Sequence, residues 1–519
     1  MRITCGNTQE DESISYKYLS VRLGINCMKP ISRTTIRGVF ATLIVVSMLS
    51  LGYSYVTSAS GTEATYANVS GQQVDQRGNI TVISTDSNSW LGSASKGPRS
   101  KAELVAFAPN GSVLYYNSSH TRYWDVDPIE KSNSASRSGS GETVEYLYSD
   151  HMNASQCPDF LSKDYWQSNE YANSVPYAQW QEYTRSHSGD GACTRNGIVQ
   201  TNLKTGETKN IYSEITPGKH STRWHDGDRI NATHYAVADI FLDRTYIVNT
   251  ETSNITWQWN AQSDYDPATT GREYPIDWTH INDVEVLPDG RIMADLRNHN
   301  SIVFLDPTKP SDQALDEDWT IGQTDNHSIL YEQHNPDYIP RSNGGPAVTI
   351  GDSENNRVIE YQRSNGTWTR TWEWKDAHIQ WPRDADRLPN GNTLITDSNG
   401  DRVLEINRWG EIVWAVDIAF PYEAERLPGD ESAGGTSTSA AGINSNANGP
   451  IEQVWLGIKD ALAGPMFSAT QYILPQWMGF LEFGVAVFGL IMALSWGVVE
   501  AWWLSTPIRE RIIHSIRSP

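Results

Sequence analysis

One spaced pair recurs along this chain: Asp239 and Arg244, Asp352 and Arg357, Asp397 and Arg402. Around these pairs run short alternating stretches, among them "VEVLPDGRIMADL", "AVTIGDSENNRVIEY", "NTLITDSNGDRVLEI" and "LVAFAPNGSVLYY". Period-two alternation marks half-buried strands, and the Pro-Asp-Gly and Pro-Asn-Gly breaks supply tight turns between antiparallel neighbours. Aromatic-ended runs such as "SNITWQW" and "GTWTRTWEW" suit outer strands that pack between sheets. The unit is about 45 to 55 residues long with about four strands, and such units in radial array make a β-propeller. Copies begin near 220, 280, 334 and 381, with an earlier one near Lys101 and a degraded one around "NGIVQTNLKTGETKNIYSEI". The spacing predicts an all-β, six-bladed propeller. A β-sandwich would not account for so regular a unit.

Laid in register, the copies open on His225 in "WHDGD", His280 in "THIND", His334 in "QHNPD" and Trp381 in "WPRD". Asp228, Asp283, Asp337 and Asp384 follow three residues later and read as structural. The first strand of a propeller blade lines the axis, so this register directs three imidazoles at one spot. Such a trio serves nucleophilic or acid–base catalysis, or a three-histidine metal site. Arg297 stands where the aligned repeat has Ser398, and its planar fork suits sulfate, phosphate or carboxylate. Asn282 can orient a neighbouring imidazole. Three His, one Arg and one Asn form the expected anion-transfer site, while His220, His234 and His299 fall off register and read as structural or exposed.

The surroundings of this repeat domain are membrane-like. "GVFATLIVVSMLSLGYSYV", residues 38–56, carries no charge and matches a bilayer core in length. A second apolar run covers 478–504, with Glu482 and Glu500 near its ends. Arg22, Lys29, Arg33 and Arg37 precede the first run, and Arg509, Arg511 and Arg517 follow the second. The positive-inside rule therefore puts both termini, 1–37 and 505–519, in the cytoplasm and the chain between the spans outside. A signal peptide cleaved near "SYVTSAS" would leave that topology intact. The propeller is expected over 62–425, joined to the second span by a Gly/Ser/Asn-rich linker and membrane-proximal segment over 426–477.

Cys157 and Cys193 lie outside in this arrangement and are expected to be bridged; Cys5 and Cys27 lie inside as free thiols. Sequons at Asn68, Asn79, Asn153 and Asn254 fit a glycosylated outer surface. The net charge of -22, with 12 Lys among 40 basic residues, argues against a nucleic-acid partner and fits adaptation to high salt.

"DWTHIND", then "DLRNHN", then "YEQHNPDYI" resemble the arylsulfate sulfotransferase (arylsulfotransferase) family over about 95–420, and the chain is similar to halophilic-archaeal members of it. The resemblance implies a six-bladed propeller that moves a sulfuryl group from a phenolic sulfate ester to a phenolic acceptor. It implies a ping-pong route through sulfohistidine, with no nucleotide donor, metal or other cofactor. His334 would be the sulfated residue; His280, Asn282 and Arg297 would bind the sulfuryl oxygens, and His225 would be a further ligand or the proton donor. Two anchors and the 150–190 insertion depart from the soluble periplasmic members. Two other readings stand beside it: a non-catalytic surface propeller binding protein or glycan, and a metal-dependent hydrolase or lyase built on the same histidines.

Overall fold

The structure is a computed structural model. It describes residues 32–58, 66–88, 98–129, 142–169, 171–188, 191–427, 435–445, parts of 453–475, and 477–517. Cys5, Cys27 and much of the 426–477 segment lie outside the described residues.

Six antiparallel sheets form the blades of a β-propeller. Blade 2 is Arg122–Pro128, Thr143–Met152, Cys193–Asn202 and Thr208–Pro217; blade 4 is Ile281–Val286, Ile292–Leu296, Ser301–Leu305 and Ile321–Gly322. Blade 5 is His334–Ile339, Ala347–Asp352, Arg357–Ser364 and Thr367–Trp374, and blade 6 is Pro382–Arg387, Thr393–Asp397, Arg402–Ile406 and Ile412–Asp417. Blade 3 has three regular strands, His234–Asp239, Arg244–Asn249 and Asn254–Asn260. Its inner edge is an irregular segment whose Asp226 and Asp228 carbonyls accept from Ala238 and Ala236 at 3.1 and 2.8 Å. Blade 1 closes the ring. It joins Ile80–Thr85, Leu104–Phe107 and Val113–Asn117 to an innermost strand, Pro421–Leu427, from the far end of the domain.

The recurring Asp–Arg pairs are ion pairs across the second and third strands of blades 3, 5 and 6, at 2.8, 2.6 and 2.7 Å. Middle strands such as Ser301–Leu305 are buried throughout, whereas outer strands such as Ile412–Asp417 bury only Trp414 and Val416. Outer tryptophans stitch blades 3, 5 and 6 to the next blade. Trp257 donates its indole N–H to the Lys309 carbonyl, Trp374 to Gly410 and Trp414 to Asp75.

Several boundaries differ from the sequence reading. The "degraded" copy supplies the third and fourth strands of blade 2, and the copy near Lys101 is the body of blade 1. The propeller strands span 80–427 rather than 62–425, because Pro421–Leu427 is the closing strand. The 426–477 segment is not all linker: Ser437 and the short helix Thr438–Ala441 dock on blades 5 and 6. There the fully buried pair Glu360 and Arg387, 3.1 Å apart, is completed by the Thr438 N–H and hydroxyl at 3.0 and 2.6 Å. A buried ion pair needs such partners for its remaining lone pairs.

Cys157 and Cys193 are bridged across 36 residues, tying the helical insertion to the start of blade 2's third strand. Within it Trp180 and Tyr183 are buried against Phe241. Replacing both cysteines by Ser should lower unfolding stability by about 3 to 4 kcal/mol on the loop-entropy account. Equilibrium unfolding of the double variant against the wild type checks this; equal stabilities would show that the insertion is held by packing alone.

Two helices are long and apolar enough to cross a membrane, with candidate spans Arg33–Thr57 and Phe480–Ser505, and most of both belongs to a separate unit. Each outruns its sequence-derived range: the first helix begins at Arg33, and the second runs through the basic tail to Arg517. They touch through a bidentate Arg37–Glu500 pair at 2.6 and 2.7 Å and a stacked Phe40–Trp496 contact.

Candidate functional site at one mouth of the propeller

Strand pairing sets which inner-strand residues share a layer. Counting three residues back from each conserved-spacing aspartate, Leu394 faces Asp386 and Thr349 faces Asp337. Asp337 is therefore the counterpart of Asp386, and His334 the counterpart of Arg383. One residue back from the aspartate, Ala238 bonds to Asp226 as Thr396 pairs with Asp384, so His225 also matches Arg383. This corrects the sequence register by two residues in blades 3 and 5: His225, His280 and His334 do not share one position. His225 and His334 share a layer, Asn282 occupies it in blade 4, and His280 sits two residues nearer the start of its strand. The physical reason is that most inner strands carry two acids spaced by two, as in Asp226/Asp228, Asp283/Glu285 and Asp384/Asp386, while blade 5 has Asn335 in the first place. Either acid can be mistaken for the other.

The outer layer thus reads Arg122, Arg223, His280, Glu332, Trp381 and Phe420, and the inner one Trp124, His225, Asn282, His334, Arg383 and Tyr422. Backbone geometry agrees. His280, Glu332, Trp381 and Phe420 have φ of 49°, 45°, 56° and 53°, a conformation that non-glycine residues adopt only when held. Three of them are latched by the preceding blade: the N–H groups of Glu332, Trp381 and Phe420 donate to Asn300, Asn356 and Asp401 at 3.0, 3.0 and 2.9 Å.

Despite the shifted register, the three histidines converge. His225 and His280 lie with ring centroids 5.1 Å apart, and Tyr422 reaches both His225 (5.8 Å) and His334 (6.5 Å) across the axis. Its hydroxyl extends to the Asn282 carbonyl at 3.4 Å. Trp124 packs on His225 at 4.1 Å and Trp381 on His334 at 5.1 Å. All are buried.

Each imidazole has a distinct setting. His334 Nδ1 lies 3.0 Å from the Glu332 carbonyl, which can only accept, and 2.8 Å from Ser353 Oγ, whose own hydroxyl reaches the Pro382 carbonyl at 2.7 Å. The proton therefore sits on Nδ1, leaving a lone pair on Nε2. Burial, then the Arg383 and Arg297 charges, hold this ring well below the ordinary imidazole pKa. His280 Nδ1 meets Asp277 at 2.6 Å. Burial and Arg297 lower its pKa to about 4 against the opposing pull of Asp277. Burial alone would raise Asp277, but His280 and Arg297 outweigh it and keep the carboxylate ionised. Both His225 nitrogens are buried without a hydrogen-bond partner, and burial, His280 and Arg223 keep that ring neutral.

Arginines surround the trio. Arg297 binds Asn298 Oδ1 at 3.0 and 3.1 Å, and its nearest carboxylates, Asp277 and Glu332, stand 3.9 Å away. It replaces the serine that in blades 5 and 6 bonds the next inner strand, Ser353 to Pro382 and Ser398 to Pro421. Arg383 lies against Trp381, Phe420 and Tyr422 at 4.6 to 4.9 Å; its Nη2 is 3.4 Å from Asp86, while Nε and Nη1 are buried without partners. Arg122 is held by Asp86 at 2.6 Å. The unpartnered Arg383 donors, with Arg297 nearby, suit an anion with several oxygens; Asn282 gives Nδ2 to the Gln333 carbonyl at 3.1 Å and leaves Oδ1, an acceptor, without a partner. Among the described residues, the groups of three potential ligands within metal-binding reach are carboxylates, not these histidines. An open cavity of about 1220 Å³ lies elsewhere, beside blade 2 and the insertion, lined by His120, Tyr148, Tyr212 and Glu214.

Arg383, Tyr422, Trp124, Asp277 and Ser353 escaped the sequence reading. A signal existed for the first two: "WPRDADRLP" from Trp381 and "FPYEAERLP" from Phe420 are one repeat, overlooked because the second stands alone at the domain's end.

Fold and site define a six-bladed propeller with a buried His–Arg cluster at one mouth of its axis. No family model and no curated protein matches the chain. Among solved structures it is similar to a periplasmic gluconolactonase from Pseudomonas aeruginosa (12% identity, TM-score 0.39, covering 67% of this chain and 99% of that one). It is likewise similar to a putative 6-phosphogluconolactonase from Bacteroides uniformis (12%, 0.39, 68% and 100%) and to a protein of unknown function from Bacteroides caccae (7%, 0.39, 67% and 99%). Likeness this distant carries no function across.

Proposed function

We propose that this protein is a membrane-anchored sulfuryl transferase that takes the group from a phenolic sulfate ester to a phenolic acceptor through sulfated His334. The reading rests above all on one observation: the Glu332 carbonyl fixes the His334 proton on Nδ1, leaving Nε2 as a neutral nucleophile beside unpartnered arginine donors. Nε2 attacks sulfur, the N–S bond forms as the S–O(aryl) bond breaks, and the ring becomes a sulfo-imidazolium whose Nδ1–H stays bound to Glu332 and Ser353. Arg297 and Arg383 face the sulfuryl oxygens, where charge-assisted donors lower the barrier most, and Asn282 offers them only the Nδ2 hydrogen not given to the Gln333 carbonyl. The leaving phenolate, with a pKa of about 10, needs only modest acid help. The phenolate departs as such and takes its proton from solvent. His280, neutral with its own proton on Nδ1 toward Asp277, accepts one at Nε2 from the acceptor phenol in the second half-reaction and returns it to solvent, and His225 completes the oxygen site.

The propeller faces the exterior and both termini the cytoplasm in this proposal, and a carboxylate-rich, glycosylated surface suits a protein working in high salt. Incubating the purified chain with a chromogenic aryl sulfate and a phenol tests the activity. Release of the aryl alcohol with sulfation of the acceptor is the expected result; inert mixtures would leave a binding propeller.

Neutral imidazoles also set the pH profile. An ordinary histidine is about nine-tenths protonated at about pH 5.5. His334 and His280 are depressed below that range, so transfer at about pH 5.5 should stay within about twofold of the neutral rate and fall only on further acidification. A tenfold loss between these values would mean that an unperturbed histidine does the work.

A further inference from the structure

Below the histidine layer the inner strands carry acids in two registers: Asp125, Asp226, Asp283, Asp384 and Glu423, with Asn335 in blade 5, then Asp127, Asp228, Glu285, Asp337, Asp386 and Glu425. Many of them clamp neighbouring blades. Asp226 accepts the Val284 N–H, Asp228 that of Val286, Glu285 that of Tyr338, Asp384 that of Ala424 and Glu423 that of Val126. The bland reading of the ring is this clamp, and it accounts for those five.

It fails between blades 5 and 6. Asp337 holds the register of Asp228 and Glu285, yet makes no such bond to Arg387, and Asp386 makes none to Arg426. Asp337 Oδ2 and Asp386 Oδ2 are buried without partners. Asp337, Asp384 and Asp386 each offer an oxygen within 4.8 Å of the others, and all three are buried. A neutral group points to the same place. Thr349 is fully buried, pairs directly across the sheet from Asp337, and its hydroxyl has no partner. Directly paired residues present side chains on one face; in blade 6 Thr396, paired with Asp384, reaches Asp384 Oδ2 at 3.2 Å. An orphaned hydroxyl beside unclamped carboxylates is the donor set of a hard cation.

We propose that the axial channel binds one calcium ion on Asp337, Asp384 and Asp386, with Thr349 Oγ1 as a neutral ligand. Calcium–oxygen distances of about 2.3–2.6 Å let ligand oxygens stand up to about 5 Å apart, whereas magnesium at about 2.0–2.1 Å limits them to about 4 Å. The ion would bridge blade 5, which carries His334, to blade 6, which carries Arg383. The site stands whether or not the histidines transfer sulfuryl groups.

The test is calcium binding by the full-length protein in detergent, stripped with chelator and then titrated with calcium or magnesium. Equilibrium dialysis should give one calcium per chain, with magnesium weaker, and millimolar calcium should raise the melting temperature by several degrees. Thr349→Val, nearly isosteric, should keep the fold and bind calcium about tenfold more weakly; Asp386→Asn should lose binding. If Asp386→Asn does not fold, the wild type and Thr349→Val decide. A stripped wild type that takes up no calcium and melts unchanged would show that the carboxylates share protons instead. Undiminished binding in Thr349→Val and Asp386→Asn would place any ion elsewhere.

Discussion

His334→Asn should yield a folded protein that transfers no sulfuryl group. The carboxamide can still donate to the Glu332 carbonyl from about the place of Nδ1, and the cavity loses little volume in a layer already packed by Trp381 and Tyr422. What disappears is the Nε2 lone pair that attacks sulfur. Loss of a nucleophile costs about four to six orders of magnitude in turnover. Stopped reactions with labelled aryl sulfate should trap an acid-labile sulfo-enzyme in the wild type and none in the variant, while the melting temperatures stay close. Turnover by the variant at the wild-type rate would assign the nucleophile to another residue.

The second large effect belongs to the arginines. Arg297→Ala and Arg383→Ala should each reduce kcat/KM by about 10² to 10³, the cost of one preorganised donor to developing oxyanion charge. Stability should respond less. Arg297 has no carboxylate closer than 3.9 Å, so its removal strands no tightly paired partner, and Asp86 keeps Arg122 at 2.6 Å when Arg383 is gone. Arg297→Lys should recover part of the rate, since it restores the charge without the planar fork. Steady-state kinetics with one aryl sulfate distinguish the variants; a rate unaffected by Arg297→Ala would remove that residue from the anion site.

The fold was legible because repetition is a strong signal: the Asp–Arg pairs found in the sequence are the ion pairs of blades 3, 5 and 6. The histidines were legible as a set, yet not in their layers. Register within an inner strand hinges on which of two alternate acids is counted, and a shift of two keeps every side chain on the same face, so apolar periodicity cannot detect it. The downstream proline resolves it: Leu287-Pro288, Ile339-Pro340 and Leu388-Pro389 align Glu285, Asp337 and Asp386. Asp277 and Ser353 were illegible for another reason. Each lies outside the strand it serves and reaches its histidine only once neighbouring turns have packed.

Blade 1 draws its innermost strand from the far end of the domain, and that strand delivers Tyr422, the side chain touching Trp124, His225, His334, Arg383 and Asn282 at once. A nascent chain emerging from its amino end already owns every histidine and arginine of the cluster before this residue appears. Assembly of the cluster is thereby tied to synthesis of this one strand: the imidazoles acquire their central spacer only when the ring locks. A fragment ending before Pro421 would carry all the reactive groups with nothing to hold them in formation, so a stalled or clipped product is disarmed by the same stroke that leaves it open.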